Sequence, residues 1–172
     1  MQLTDLQPLE KWIELEKEIH AGIQAGARVF DTDGIRITGH KKWANRLCPV
    51  VKANPKGQTF ICSTAHQNVA AQAEKTKKPV IEECDAGMVK IVVPIFVEDQ
   101  FIGAVGGCGL LLGDEGEIET FLLGKTLDME ESEVEKLAEG LGSLSMQQAK
   151  EISAYIAGQI EQIVSSVPEN SK

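Results

Sequence analysis

Residues 88–112 read MVKIVVPIFVEDQFIGAVGGCGLLL, and this stretch determines the fold class of the chain. Its two apolar runs, Met88 to Val97 and Phe101 to Leu112, flank the short polar segment Glu98-Asp99-Gln100. Apolar runs of this length on either side of a polar turn are typical of a β-hairpin with buried strands. We therefore expect a hairpin that forms the middle of a sheet.

Several shorter elements are predicted before this hairpin. Helical spacing of apolar residues predicts a helix over residues 5 to 22, and the Asp33-Gly34 pair predicts a turn between two short strands within 27 to 38. Two prolines predict a loop from Cys48 to residue 57. A capping-box pattern then predicts a helix over 64 to 76, so that Cys62 lies near a helix N-terminus, and residues 80 and 81 form a short strand.

Two more capping boxes follow the hairpin and predict helices over 129 to 141 and 146 to 167. The last helix has an apolar stripe at helical spacing, made of Ala149, Ile152, Ile156, Ile160, Ile163 and Val167. Its length favours pairing with a second copy of the chain, so a homodimer is expected.

The order of the elements predicts a single α+β domain over residues 1–172. We expect a largely antiparallel sheet of about five strands within 27–112, helices on one side of it, the N-terminal helix 5–22 and the C-terminal helices 129–167. PAS-like and GAF-like sensor domains have this build.

Charge and composition exclude several classes of function. The net charge is −9, yet eight basic residues and a single acidic one lie between Lys41 and Lys78. The acidic remainder argues against a nucleic-acid-binding protein, because phosphate contacts dominate such binding. No apolar run is long enough to cross a membrane, and the polar N-terminus lacks the pattern of a secretory signal, so a cytoplasmic protein is expected.

The four cysteines are far apart in the sequence, and glycine, proline or the end of a predicted segment flanks each one. Such placement predicts that four elements bring sulfur to one place, where four thiolates could hold Zn²⁺ or an iron–sulfur cluster. Positive neighbours in the basic segment would favour the thiolate form. Disulfides or plain buried thiols are the alternatives, because the paired spacing of zinc ribbons is missing. The candidate metal ligands are Cys48, Cys62, Cys84 and Cys108.

The run CDAGMVKIVVPI, residues 84–95, together with the glycine-rich strand that follows it, resembles the PocR ligand-binding sensory domain family. That family has a cysteine, a histidine, a small residue and a glycine before an apolar strand that ends in Pro-Ile. Cys48 before a proline-containing loop, Cys62 before an alanine-rich helix, and the Lys78-Pro79 step agree with the family layout over nearly the whole chain. Two positions depart from it: Asp85 replaces the histidine, and Cys108 stands where a glutamine is common.

The resemblance implies a sensory module that binds a small organic molecule and acts through a signalling partner such as a kinase or a transcription regulator. No output domain is recognisable in the chain. The candidate ligand-binding residues are Trp43, Phe60, Asp85, Gly87, Met88, Gly106 and Gly107. In this interpretation the missing side chains of the glycine-rich strand leave room for a ligand or a cluster.

A cysteine-based redox enzyme is the other class that we considered. Nucleophilic cysteine chemistry needs a base close to the thiol, and the pair Cys62 and His66 is the best candidate that the sequence offers. No paired-carboxylate, zinc-protease or nucleophile-elbow motif is present. We therefore expect a binding protein without catalytic activity.

Overall fold

The computed structural model describes residues 1–166, so Val167 of the predicted apolar stripe lies outside the described residues. The α+β class and the five-stranded, largely antiparallel sheet are confirmed. The helices are α1 (Leu3–Leu6), α2 (Leu9–Ile23), α3 (Leu47–Ala53), α4 (Thr64–Thr76), α5 (Thr120–Leu127), α6 (Glu131–Ala138) and α7 (Met146–Ser165), with a π-helical segment (Gly57–Ser63) before α4. The strands are β1 (Gly26–Phe30), β2 (Val80–Glu83), β3 (Val89–Val97), β4 (Gln100–Leu112) and β5 (Ser143–Leu144).

The predicted central hairpin is confirmed as the antiparallel pair β3 and β4, in which Val93 lies opposite Val105. The sheet order is β1-β4-β3-β2, and β5 pairs with β4 in parallel. Because β4 is the longest strand and has a partner on each side, it brings β1 and β3 together across the centre of the sheet.

Helices cover both faces of this sheet rather than one. On one face, Val69 and Ala73 of α4 pack against Val92 and Ala104. On the other face, α2 and α7 pack against the alternate residues of the same strands, such as Ile91. A strand that is buried on both sides is apolar almost throughout, and this explains why β3 lacks the alternation of a one-sided sheet.

The predicted hairpin over 27 to 38 forms only its first strand. Residues 35 to 38 are not a strand, and Phe30 and Arg36 form a single isolated bridge. The Asp31 carboxylate instead accepts hydrogen bonds from the backbone amides of Asp33 and Ile35, at 3.0 and 2.8 Å, which fixes a turn. The chain beyond this turn leaves the sheet and forms one wall of the cavity described below.

The predicted loop after Cys48 is wrong, because Cys48 lies in α3 and Pro49 occupies its first turn, where a proline is tolerated. Cys62 lies inside the π-helical segment, which runs directly into α4. Cys62 is therefore inside a continuous helical segment and not, as predicted, near a helix N-terminus.

Two further helices differ from the predictions, and two elements were missed. The N-terminal helix is divided at Pro8, which precedes α2, and the helix predicted over 129 to 141 is the shorter α6. Helix α5 and strand β5 were not predicted.

The isoleucine stripe of α7 packs inside the protein. Ile152, Ile156 and Ile160 belong to the main core, together with α2 and the sheet. A dimer would therefore need a different surface. Among the described residues, no helix combines the length and the hydropathy that a membrane span requires.

Candidate ligand cavity

A cavity of about 550 Å³ lies between the sheet and the helical layer formed by α3, the π-helical segment and α4. One face of the strands β1, β4 and β3 forms the floor of the cavity, and residues 33 to 43 form a side wall. The turn between β2 and β3 closes another side through Cys84, Ala86 and Met88. This volume lies in the range of small-molecule sites.

Two cations lie on the floor of the cavity. Arg28 of β1 is opposite Gly106 of β4, and Lys90 of β3 is opposite Cys108 of the same strand. Their side chains are only 8% and 9% exposed, although both line the cavity. Their partners on β4, Gly106 and Cys108, are two residues apart, so both cations lie on one face of the sheet. The strands β1 and β3 are about 10 Å apart, because β4 lies between them.

Arg28 is held in place by neutral groups. Its guanidinium donates hydrogen bonds to the carbonyl oxygens of Ala27 and Lys42, the second at 3.0 Å, and it lies 4.9 Å from the ring centre of Trp43. Burial is the main cause that lowers the pKa of Arg28, followed by the neighbouring charge of Arg36. No carboxylate among the described residues forms an ion pair with Arg28.

The walls of the cavity are strongly cationic although the whole chain is acidic. Five basic residues line it, namely Arg28, Arg36, Lys41, Lys52 and Lys90, against the single acidic residue Asp33. Arg36 is paired, since it donates to the Glu16 carboxylate at 3.1 Å. The chain as a whole has a net charge of −9, so the cationic character is local to this site.

His66 of α4 is buried in the roof and stacks on Phe30, with the ring centres 3.9 Å apart. Its Nδ1 atom has no hydrogen-bond partner in the described part of the chain. Burial lowers the pKa of His66 to about 4, with smaller contributions from Lys90 and Lys52. His66 is therefore neutral at pH 7 and adds no charge to the cavity.

All four cysteines line this one cavity, each from a different element, and all are free thiols that are partly exposed to it. The thiol of Cys48 is 3.6 Å from the Met88 sulfur and accepts a hydrogen bond from Asn45 Nδ2 at 3.3 Å. The same amide donates to the carbonyl oxygen of Gly109 at 2.6 Å, so Asn45 connects α3 to β4 beside the sulfur atoms.

The thiols are not activated in this environment. Burial raises the pKa of Cys48 to about 12, and burial also raises the pKa of Cys62 and of Cys84. The expected stabilisation of thiolate by basic neighbours is thus outweighed, because Lys52 lowers the pKa of Cys62 less than burial raises it. At pH 7 these three groups are neutral thiols. His66 also makes no hydrogen bond to Cys62 in the described residues, so the pair is not arranged as nucleophile and base.

Although the cysteines share a cavity, the described residues contain no group of three histidine, cysteine or acidic side chains placed to hold a metal ion. A metal centre at Cys48, Cys62, Cys84 and Cys108 would need the thiols to move closer together and to lose their protons.

The sequence-predicted ligand residues fall into two groups. Trp43 and Met88 line the cavity. Five others lie outside its lining, with Phe60 on the surface at 63% exposure and Asp85 exposed in a turn: Phe60, Asp85, Gly87, Gly106 and Gly107. A Cβ atom at Gly106 would meet the Ile91 carbonyl oxygen, so this glycine allows close approach of two strands.

Sequence reasoning missed Arg28 and Lys90, and it considered His66 only as a possible base for Cys62. Arg28 and Lys90 each interrupt an apolar strand, in GARVF and VKIVVPIFV. A lone basic residue in a strand that is otherwise buried is a usable signal, because such a charge needs a partner or access to solvent. His66 follows Ala65 on a helix of modest amphipathicity, and no sequence feature indicates its stacking on Phe30.

The fold and the cavity define a class, namely an α+β domain of sensory type with an internal cavity of small-molecule size. The family described as "Sensory domain found in PocR" matches residues 5–167. The chain therefore belongs to the PocR sensory domain family, whose members are ligand-binding sensory modules. No curated protein and no solved structure matches the chain.

Proposed function

We propose that the protein is a sensor that binds a small organic molecule, namely an alcohol, a diol or an acid, in the cavity of about 550 Å³. Ligand binding changes the terminal helices, and this change is the signal that a partner protein detects. The observation that carries the proposal is the cavity itself, which lies under a helical roof and combines apolar lining residues such as Val51 and Met88 with five basic side chains. Such a combination is typical of small-molecule sites.

A continuous set of contacts joins the cavity to the C-terminal helix. Arg36 lines the cavity wall and bonds to Glu16 of α2. Two residues further along α2, Glu18 accepts a hydrogen bond from the Tyr155 hydroxyl of α7 at 2.8 Å. A ligand that displaces the wall would therefore act on α2 and, through α2, on α7. A kinase or a transcription regulator that contacts α7 would be the partner.

Ligand binding is tested by thermal stabilisation across a panel of small alcohols, diols and carboxylic acids. Ala65 lines the roof, so Ala65→Leu fills part of the cavity and should abolish the stabilisation. Ala71→Leu is the matched control, because Ala71 is an exposed residue on the same helix. Equal stabilisation of both variants would place the binding site elsewhere on the protein.

Transmission to α7 is tested by hydrogen exchange with the tightest compound from that panel. Binding should change the protection of amides in residues 146–165, and Glu16→Gln should remove this change while binding persists. An unchanged exchange pattern in α7 of the saturated wild-type protein would refute the proposed route.

The four cysteines support a second candidate, a sensor that holds Zn²⁺ or an iron–sulfur cluster. Its support is that all four thiols line one cavity beside Lys52 and Lys90, whose positive charge would offset that of a thiolate-bound centre. Protein purified without oxygen should then contain near-stoichiometric zinc or iron by elemental analysis. If metal-free protein were as stable as the protein that contains metal, this candidate would be excluded and the organic ligand would remain.

A further inference from the structure

We infer that the ligand of this cavity is an organic anion, with its charged group between Arg28 and Lys90 and its apolar body against Trp43 and Met88. This inference rests on the proposed small-molecule site and names the class of compound that the site selects.

The first argument is the lack of counter-charge for the two floor cations. Neither Arg28 nor Lys90 forms an ion pair in the described part of the chain, and the side chain of Lys90 has no hydrogen-bond partner there. The ring of Phe30 lies 5.8 Å from the Lys90 ammonium group, which gives only a weak attraction. A cation with so little exposure is costly to the folded state unless an anion accompanies it.

The second argument is that the acidic residues of the lining do not balance its cations. Among the described residues, Asp33 is the only acidic residue of the lining, and it is exposed at the wall. Five basic side chains line the same cavity. An anionic ligand would supply the missing negative charge.

The third argument is the apolar character of the rest of the lining. Apart from its charged residues, the lining includes the apolar residues Val51, Ile61, Ala65 and Met88, which are all buried. An inorganic anion would leave this surface without a partner. A molecule with one anionic end and a hydrocarbon body satisfies both parts of the cavity, and a carboxylate and a phosphate ester share this chemistry.

The test compares compounds that differ in charge but little in shape: benzoate with benzamide, succinate with succinamide, and glycerol 3-phosphate with glycerol. Binding is followed at constant ionic strength by the fluorescence of Trp43, with Trp43→Phe identifying the signal of Trp12, which is fully buried in the core. At least one anion should bind about tenfold or more tightly than its neutral partner. The anion that binds distinguishes carboxylate from phosphate.

Lys90→Met should remove this preference, whereas Lys75→Met, at an exposed site on α4, should keep it. A second arm needs no ligand. Without an added organic anion, Lys90→Met should raise the urea midpoint by about 0.5 M or more, since an unpaired cation is replaced by an apolar side chain. Lys75→Met should leave the midpoint unchanged.

Several results would overturn the inference. One such result is that neutral compounds bind as tightly as their anions, and another is that all three anions fail to bind while an alcohol or a diol still binds. Either result would refute the anionic ligand but leave the small-molecule site intact. A stoichiometric iron–sulfur centre on the cysteines would also overturn it, because the centre would supply the negative charge. If neither the wild type nor Ala65→Leu bound any of the compounds, the result would instead refute the proposed function itself.

Discussion

The Thr38 hydroxyl donates a hydrogen bond of 2.6 Å to the carboxylate of Glu16, a side chain with no solvent exposure on α2. The same carboxylate accepts from the backbone amide of Val29 at 3.0 Å and from Arg36 at 3.1 Å. One buried acid thus joins strand β1, the wall of the cavity and the helix that contacts α7. The wall residues are fixed by this carboxylate rather than by a second strand.

Glu16→Gln should lower the free energy of unfolding by about 2 to 3 kcal/mol, because the amide cannot satisfy three donors and leaves Arg36 without its counter-charge. Urea unfolding measures the effect. Glu14→Gln is the control, since Glu14 pairs with Lys11 on the exposed surface of the same helix and its loss should cost far less than that of Glu16. Equal costs for the two variants would contradict the structural role given to Glu16.

Gly106→Ala should destabilise the protein by about 3 kcal/mol or more. An added Cβ would overlap the Ile91 carbonyl oxygen of the neighbouring strand, and backbone cannot yield as a side chain does. Gly158→Ala on α7 is the opposite case, since its Cβ would meet nothing within 4 Å and the helix should gain about 0.5 to 1 kcal/mol. Thermal unfolding of both variants checks the pair. A tolerated Gly106→Ala would show that β3 and β4 are not as close as described.

The parts of the fold that could be predicted are those in which local pattern and tertiary environment agree. The β3–β4 hairpin follows from two long apolar runs around a polar turn, and the capping residue Ser145 marks the start of α7. Helix α3 could not be predicted, because Pro49 looks like a loop signal and is tolerated only in a first turn. Strand β5 has two residues, too few for any pattern.

The chemistry of the cavity was harder to predict than its location. The cysteines pointed to the region, and all four line the cavity. Their protonation, however, is set by burial, which sequence does not report, and positive neighbours alone suggested the opposite direction of the pKa shift. The importance of Lys90 likewise depends on its side chain having no ion-pair partner among the described residues of the sheet and the helices around it. This is a property of the folded chain that the sequence does not show.

Cys48 should be alkylated by iodoacetamide far more slowly in the folded protein than in urea. Its pKa is raised from 9.0 to about 12, so at pH 8 the folded protein holds about a thousandfold less thiolate at this position than an unshifted thiol would. Mass spectrometry over time, with the unfolded protein as reference, measures the ratio for each cysteine. A Cys48 that reacts as fast as in the unfolded chain would contradict the raised pKa and the burial of this thiol.

Acidification between pH 6.5 and 4 should destabilise the protein through His66. Its pKa falls from 6.5 in the unfolded chain to about 4 in the folded protein, mainly through burial. The unfolded chain therefore binds the proton first, so the stabilising contribution of neutral His66 is complete above pH 6.5 and is lost as the pH falls to 4. This difference corresponds to roughly 2 to 3 kcal/mol.

His66→Phe isolates this contribution, because phenylalanine retains the stacking on Phe30 and cannot titrate. Urea unfolding of both proteins at pH 7, 5.5 and 4.5 should show the wild type losing stability relative to the variant as the pH falls. Carboxylates that titrate in the same range are present in both proteins and cancel in the difference. Parallel curves would mean that the His66 ring reaches solvent in the folded protein, and the roof of the cavity would then be open where the structure has it closed.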